Sequence, residues 1–354
     1  MVSPEPVAHK PKLGISACLL GQKVRYDGGH KSDLFLTELF GKFIEWIPIC
    51  PEVEVGMGVP REPVRLVGTT TDPRMIAEKS GRDWTSAMKR FASQRTRDIA
   101  EKHVSGYIFK KNSPSCGMER VRIYDSKGLA ERRGRGLFAA ALMDHWPLLP
   151  VEEEGRLNDL KLRENFIERV FAYHRWLQVT SIRKSPGALV RFHTSHKYLL
   201  LAHSQRHYRQ LRRLVAVAKQ KSPAVLYDDY ARIFMAALAV HATEKSHANV
   251  LDHMTGYFSK QLTAAERQEL VQLIGDFRRQ LIPLIVPITL IRHYSKKISN
   301  RVLAALALSR TQPERADAAK PRLASLFAGA SEINYEDLLA QQKNLAAAIA
   351  RQSL

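Results

Sequence analysis

The sequence predicts an α/β domain built on a Rossmann-like parallel sheet, followed by an all-α helical bundle. Three observations carry this expectation. Residues 12–150 alternate short apolar runs with helix-period patterns, the order that builds a parallel sheet. Beyond Glu152-Glu153-Glu154-Gly155 the strand signals fade and long helical patterns take over. At 354 residues and 45% hydrophobic, the chain is long and apolar enough for two cores.

The elements follow in order. Leu13 to Ile15 reads as a buried strand that delivers Cys18 into a turn closed by Gly21. Leu34, Leu36, Leu39, Phe40 and Phe43 recur at helical spacing, and Ile47-Pro48-Ile49 runs into Cys50. Val64 to Val67 is a short strand. Trp84, Met88, Phe91, Arg95, Ile99 and His103 trace a helix that leads into the strand Tyr107-Ile108-Phe109. Val121 to Tyr124 is a strand, Gly134-Arg135-Gly136 opens a helix through Leu142, and Trp146 to Val151 closes the unit as a strand. Gly134 and Gly136 suit either a phosphate cradle or close packing, and close packing is the plainer reading. Helical patterns then cover roughly 159–180, 186–219, 223–256, 264–282 and 284–308, with Pro186, Pro223 and Pro283 near starts or breaks. The expected domains are 12–155, 156–309, and 310–354 as a linker with a last helix near 335–351.

Composition bounds the function. The net charge is +20 and uneven: residues 1–155 hold 24 Lys and Arg against 20 Asp and Glu, residues 156–354 hold 31 against 15. So basic a second half is an electrostatic footprint for a polyanion, most often nucleic acid. No apolar stretch is long and charge-free enough to span a bilayer, and Met1 to Pro11 lacks a signal-peptide core. The expectation is a cytoplasmic chain with no membrane and no protein partner. Three cysteines are an odd count, so metal or redox use is favoured over a disulfide framework.

Each cysteine stands where a short apolar run stops. In an open α/β sheet strand ends of one sense gather at one edge, where ligands bind, so the three thiols are expected to converge. Three thiolates suit an iron–sulfur cluster with one iron left open, or a zinc ion with a water. Three unrelated buried cysteines are the plain alternative. Glu52, two places after Cys50, is a candidate base, or a cap for the following turn. Ser113 and Ser115 flank Pro114 beside Cys116 and could bond the base or the cluster, or simply shape a turn. Asp27 and Lys31 could orient a substrate, or form a surface turn and helix start.

Ser16-Ala17-Cys18-Leu19-Leu20-Gly21, Val24-Arg25-Tyr26-Asp27-Gly28, Cys50-Pro51-Glu52, Pro60-Arg61-Glu62-Pro63 and Ser113-Pro114-Ser115-Cys116-Gly117 together resemble the thiouracil desulfidase family over about residues 12–152. The remainder, through Leu189 to Ser204, resembles the helical partner domain fused to such modules. That arrangement is similar to bacterial enzymes that remove sulfur from 4-thiouridine in tRNA. The resemblance implies a [4Fe-4S] cluster on Cys18, Cys50 and Cys116, and non-redox hydrolytic desulfuration of tRNA to give uridine. It assigns 12–155 as the iron–sulfur desulfidase domain and 156–309 as the basic tRNA-binding domain. The readings left beside it are a three-cysteine zinc hydrolase acting on nucleobases, a non-enzymatic iron–sulfur RNA-binding sensor, and a DNA-binding repair protein.

In the second half Arg183, Lys184, Arg191, Lys197, Arg206, Arg209, Arg212 and Arg213 crowd one region, with Phe192, His193, His196, Tyr198, His207 and Tyr208 among them. Cations beside aromatic faces suit RNA. Core packing is the plainer role for Phe192 and Tyr198, and hydrogen bonding within the bundle or contact with RNA for the histidines. Arg292, Lys296, Lys297 and Arg301 form a second basic stripe.

Overall fold

The computed structural model describes residues 10–181, 184–257 and 259–308, the side chains of 299–308 excepted. Arg183, the side chain of Arg301 and the expected tail 310–354 lie outside the described residues. Its contacts divide the chain into two units, Met1–Leu177 and Gln178–Leu354.

In the first unit the strands are β1 (Lys12–Ser16), β2 (Glu45–Ile49), β3 (Val64–Gly68), β4 (Pro73–Ala77), β5 (Gly106–Phe109), β6 (Val121–Tyr124), β7 (Ala130–Gly134) and β8 (Val151–Glu153). The helices are α1 (Pro51–Glu54), α2 (Thr85–Glu101), α3 (Leu137–His145) and α4 (Leu160–Ser181). One sheet is parallel throughout, in the order β2-β1-β5-β8. Every residue of β5 is buried, as in a sheet covered on both faces. Gly106 makes the cover close: a Cβ there would stand 2.9 Å from Val170 of α4. The Ser105 hydroxyl also meets His174 of α4 at 3.2 Å. The sequence boundary at 155/156 precedes this helix, whereas the contacts count it with the first unit as far as Leu177.

A second sheet, β4-β3-β6-β7, pairs β3 and β6 in parallel and its outer strands antiparallel. The sequence reading anticipates β3 and β6 but neither partner. β4 opens on a proline, and four of the five β7 residues are exposed, so neither shows an alternating pattern. The expected helix over Leu34 to Phe43 is instead a π-helical turn, Phe35–Leu39, and a 3-10 turn, Phe40–Lys42. The expected strand from Trp146 begins only at Val151.

The second unit is helical: α5 (Pro186–Ser195), α6 (Lys197–His203), α7 (Gln205–Ala216), α8 (Pro223–Ala239), α9 (Glu244–Gly256), α10 (Ala264–Arg278) and α11 (Ile285–Leu308). Two expected long helices are broken: 186–219 at His196 and again at Ser204, and 223–256 before Thr243. Ser204 is extended and accepts from the His207 N–H, which starts α7. Thr243 and Ser246 cap each other reciprocally, which starts α9. Leu251, Leu270, Ile274, Phe277 and Ile291 lie in the core under α9, α10 and α11. No described helix is long and apolar enough to cross a membrane.

Candidate active site

The chain reverses direction across the parallel sheet between β1 and β5, and side chains meet in the crevice beyond those strand ends. Cys18 lies in a 3-10 turn, Ala17–Leu20, directly after β1. That turn ends on Gly21 at φ 85°, a left-handed conformation that glycine enters without strain. Cys50 follows β2 and is the N-cap of α1, where its N–H donates to Glu54 at 3.2 Å. Cys116 stands in the loop after β5. All three are free thiols and line one cavity of about 660 Å³.

The loop that carries Cys116 is fixed from three sides. Ser113 Oγ accepts from the backbone N–H groups of Ser115 and Cys116 at 3.2 and 3.0 Å, so this hydroxyl shapes the turn. The first N–H groups of α3 donate to the carbonyls of Pro114 and Ser115. The Gly134-Arg135-Gly136 start therefore serves close packing: a Cβ on Gly136 would stand 2.5 Å from the Ser115 carbonyl. From β8, Glu153 accepts from the Met118 N–H at 2.8 Å. Glu154 accepts from the Lys111 N–H at 2.7 Å and pairs with Lys110. The acidic run Glu152-Glu153-Glu154, expected as a polar boundary, is buried: Glu153 and Glu154 tie this loop to the sheet, and Glu152 pairs with Arg156 at 2.6 Å.

Glu52 is the centre of the polar network. Its Oε2 accepts from Arg61 Nε at 3.0 Å and from Arg61 Nη2 at 2.5 Å. Its Oε1 accepts from Ser115 Oγ at 2.8 Å. The Arg61 and Glu52 side chains are only 6% and 13% exposed, so this pair is largely withdrawn from water. Arg61 also donates to the Val24 carbonyl at 3.0 Å, and the Cys50 thiol approaches the same oxygen at 3.7 Å. Glu52, Ser113 and Lys31 line the cavity with the cysteines, whereas Ser115 supports Glu52 from behind the wall. Asp27 does not line the cavity. It sits in an exposed turn, where a hydrogen bond from Arg25 holds its carboxyl below the usual range.

Burial raises all three thiols. It lifts Cys18 to about 11, with Lys110 opposing and Cys50 adding to the rise. Cys50 is raised by burial, and Cys116 well above its ordinary range, with Glu52, Cys50 and Cys18 adding to the effect. This mutual influence expresses their proximity. Among the described residues no group of three or more His, Cys, Asp or Glu is gathered closely enough to hold a single metal ion. A multi-iron core takes each thiolate on a different iron and does not require that closeness. Two further features fit such a core. The thiols are soft donors on one cavity wall. The Ser16 hydroxyl, which lines the cavity, accepts from the Lys110 N–H at 3.0 Å and so adds a polar group to the wall around the thiols.

Arg61, Lys110, Glu153 and Glu154 are site residues that the sequence reading leaves without a role. Arg61 lies inside the quoted Pro60-Arg61-Glu62-Pro63 motif, so a signal for it was present. The two glutamates carry no local signal, because their partners are distant in the chain.

In the second unit Arg206, Arg209, Arg212 and Arg213 are exposed on α7, whose Leu211 and Leu214 face inward. Among the described residues no carboxylate pairs with these four arginines or with Arg191. Lys184 stands over the Tyr227 ring, and Lys197 meets the Tyr257 hydroxyl at 3.2 Å. In the second stripe Lys297 is tied to Glu266. His193, His196 and His203 are buried: His193 bonds the Tyr230 hydroxyl, His196 stacks on Phe192, and His203 meets the Val240 carbonyl. Burial lowers His193 to about 4.

Comparison with known proteins agrees with this layout. Residues 13–154 match the 2-thiouracil desulfurase family, and residues 197–310 match the protein family of unknown function DUF1722. The Escherichia coli (strain K12) protein YbgA is 34% identical over 139 residues, 39% of this chain and 82% of YbgA. The Bacillus subtilis (strain 168) protein YbbK is 31% identical over 152 residues, 41% of this chain and 97% of YbbK. The solved structure of the [4Fe-4S]-dependent thiouracil desulfidase TudS is 34% identical, with 44% of this chain and 97% of that chain covered and a TM-score of 0.36. The chain belongs to the 2-thiouracil desulfurase family, in a form that carries a DUF1722 domain behind the desulfurase domain.

Proposed function

We propose that the protein is a tRNA 4-thiouridine desulfidase that replaces the thiocarbonyl sulfur with oxygen from water. The observation that carries this reading is the Arg61–Glu52–Ser115 network on the wall that also bears three cysteines. Cys18, Cys50 and Cys116 would hold a [4Fe-4S] cluster, which supplies a thiophilic iron to polarise the C=S bond and receive sulfide. Glu52 takes the proton of the attacking water on a free lone pair of its carboxylate. Arg61 and Ser115 fix the plane of that carboxylate, so no reorganisation is needed when the proton moves. One water enters, a C–O bond forms, a C–S bond breaks and sulfur leaves as sulfide, with no net electron transfer.

The tRNA part rests on the basic helical unit. Four arginines on one short helix, without a carboxylate partner among the described residues, favour a polyanion, and their loss is expected to weaken tRNA binding. A stacked thiouridine must leave its neighbours to enter a cavity, so local base extrusion accompanies binding.

The test is anaerobic reconstitution of the full chain, followed by incubation with thiolated tRNA. Loss of the thiouridine absorbance with matching sulfide is expected, and neither is expected from Cys18→Ala. A cluster-loaded chain that binds tRNA but releases no sulfide would be a sensor. A colourless chain holding zinc would be a hydrolase of another kind.

A further inference from the structure

The second sheet carries three arginines in one row. β3 and β6 run parallel with Leu66 beside Ile123 and Val67 beside Tyr124. One step back along that register, Arg65 stands beside Arg122. Across the next pair Arg122 stands opposite Arg132. Leu66 and Ile123 are buried on the other face of the sheet, so the three arginines share the exposed face. At ordinary strand spacing the row spans about 10 Å.

Like charges directly opposite each other on neighbouring strands are destabilising. None of the three pairs with a carboxylate among the described residues; Arg65 lies over the Tyr124 ring, 5.2 Å from its centroid. Elsewhere on the same sheet Arg74 is matched by Asp83 at 2.7 Å. The carboxylates that line the cavity are Glu52, held by Arg61, and Glu78, which makes no ion pair with the row. All three arginines line the same cavity as the cysteines.

We propose that Arg65, Arg122 and Arg132 form a phosphate ledge that holds the sugar–phosphate backbone at the target nucleotide while its base enters the cavity. The inference rests on the reading of the site as one for thiolated RNA. It gives the desulfurase domain its own grip on the substrate, separate from the helical unit. Arginine suits the role because its planar fork meets two phosphate oxygens at once. The Tyr124 ring beside the row offers a face for the ribose or a neighbouring base.

The test is calorimetric titration of the cluster-loaded full chain with uridine 5′-monophosphate and with uridine. The wild type is expected to bind the monophosphate at least about tenfold more tightly than the nucleoside. The triple variant Arg65→Gln, Arg122→Gln, Arg132→Gln is expected to lose that advantage, and Arg122→Gln alone to lose part of it. Arg74→Gln, a charge loss on the same sheet outside the cavity, is expected to keep it. The arginines are exposed, so the variants should fold, which their melting curves check. Equal affinity for the two ligands, or an advantage that survives the triple variant, overturns the ledge. So does a row that takes up an acidic peptide and not the monophosphate. Binding requires no desulfuration. A chain that holds the monophosphate through the row yet releases no sulfide from thiolated tRNA leaves the ledge standing and removes the desulfidase reading. The reverse result removes the ledge alone.

Discussion

The Ser115 hydroxyl donates to Glu52 Oε1 at 2.8 Å, joining the loop after β5 to the turn after β2. Ser115 is fully buried and does not line the cavity, so it acts through Glu52. Ser115→Ala is expected to lower kcat about tenfold through a misdirected carboxylate, with the bound iron unchanged. Steady-state kinetics on thiolated tRNA beside an iron assay checks this. A loss confined to KM would contradict the positioning role.

Arg61 holds the other oxygen of the same carboxylate. The pair is mostly buried, so removing one partner strands a charge. Arg61→Met is expected to cost about 3–5 kcal/mol of stability in the desulfurase domain. Adding Glu52→Gln should recover part of that loss, because the stranded charge disappears. Chemical denaturation of the single and double variants checks it. A double variant no more stable than Arg61→Met would contradict the account.

These two contacts mark where sequence reading stops. The meeting of Cys18, Cys50 and Cys116 on one cavity was legible because each ends an apolar run and strand ends of one parallel sheet must gather, and Glu52 was legible only through its place two residues after Cys50. The helix cap alternative for Glu52 gives way to Glu54, whose carboxylate takes the Cys50 N–H. The clamp of Glu153 and Glu154 on the Cys116 loop was not legible. A run of three glutamates reads as solvated unless its partners, some 35 to 44 residues earlier, are known. The second sheet was half legible, since β7 exposes most of its residues and shows no alternation to detect. The helical unit was legible as helices, but Ser204 and Thr243 act as N-caps inside stretches that read as continuous.

Arg206, Arg209, Arg212 and Arg213 give a prediction about salt. Replacing all four with Gln should weaken tRNA binding and flatten the plot of log affinity against log salt by about three units. Filter binding over a range of salt concentrations checks it. An unchanged slope would mean that α7 touches no phosphate.

His193 makes the stability of the helical unit depend on pH. Burial holds it at about 4, below the ordinary value near 6.5, so the unfolded chain takes up the proton first. Its contribution is full above about pH 6.5 and is lost as the pH falls toward 4. Acidifying from pH 7 to 5 should cost about 2 kcal/mol at this residue. His193→Phe should remove that part of the slope. Unfolding at several pH values checks it, and a wild type and variant with parallel slopes would contradict it.

The most direct test of the central claim is a single turnover of thiolated tRNA under anaerobic conditions without added reductant, comparing the wild type with Glu52→Gln at equal iron content. The account predicts one sulfide released for each uridine formed in the wild type. It predicts that Glu52→Gln, with its cluster intact, is slower by about 10²–10⁴-fold. A wild type that needs a reductant, or a Glu52→Gln variant as fast as the wild type, would contradict it.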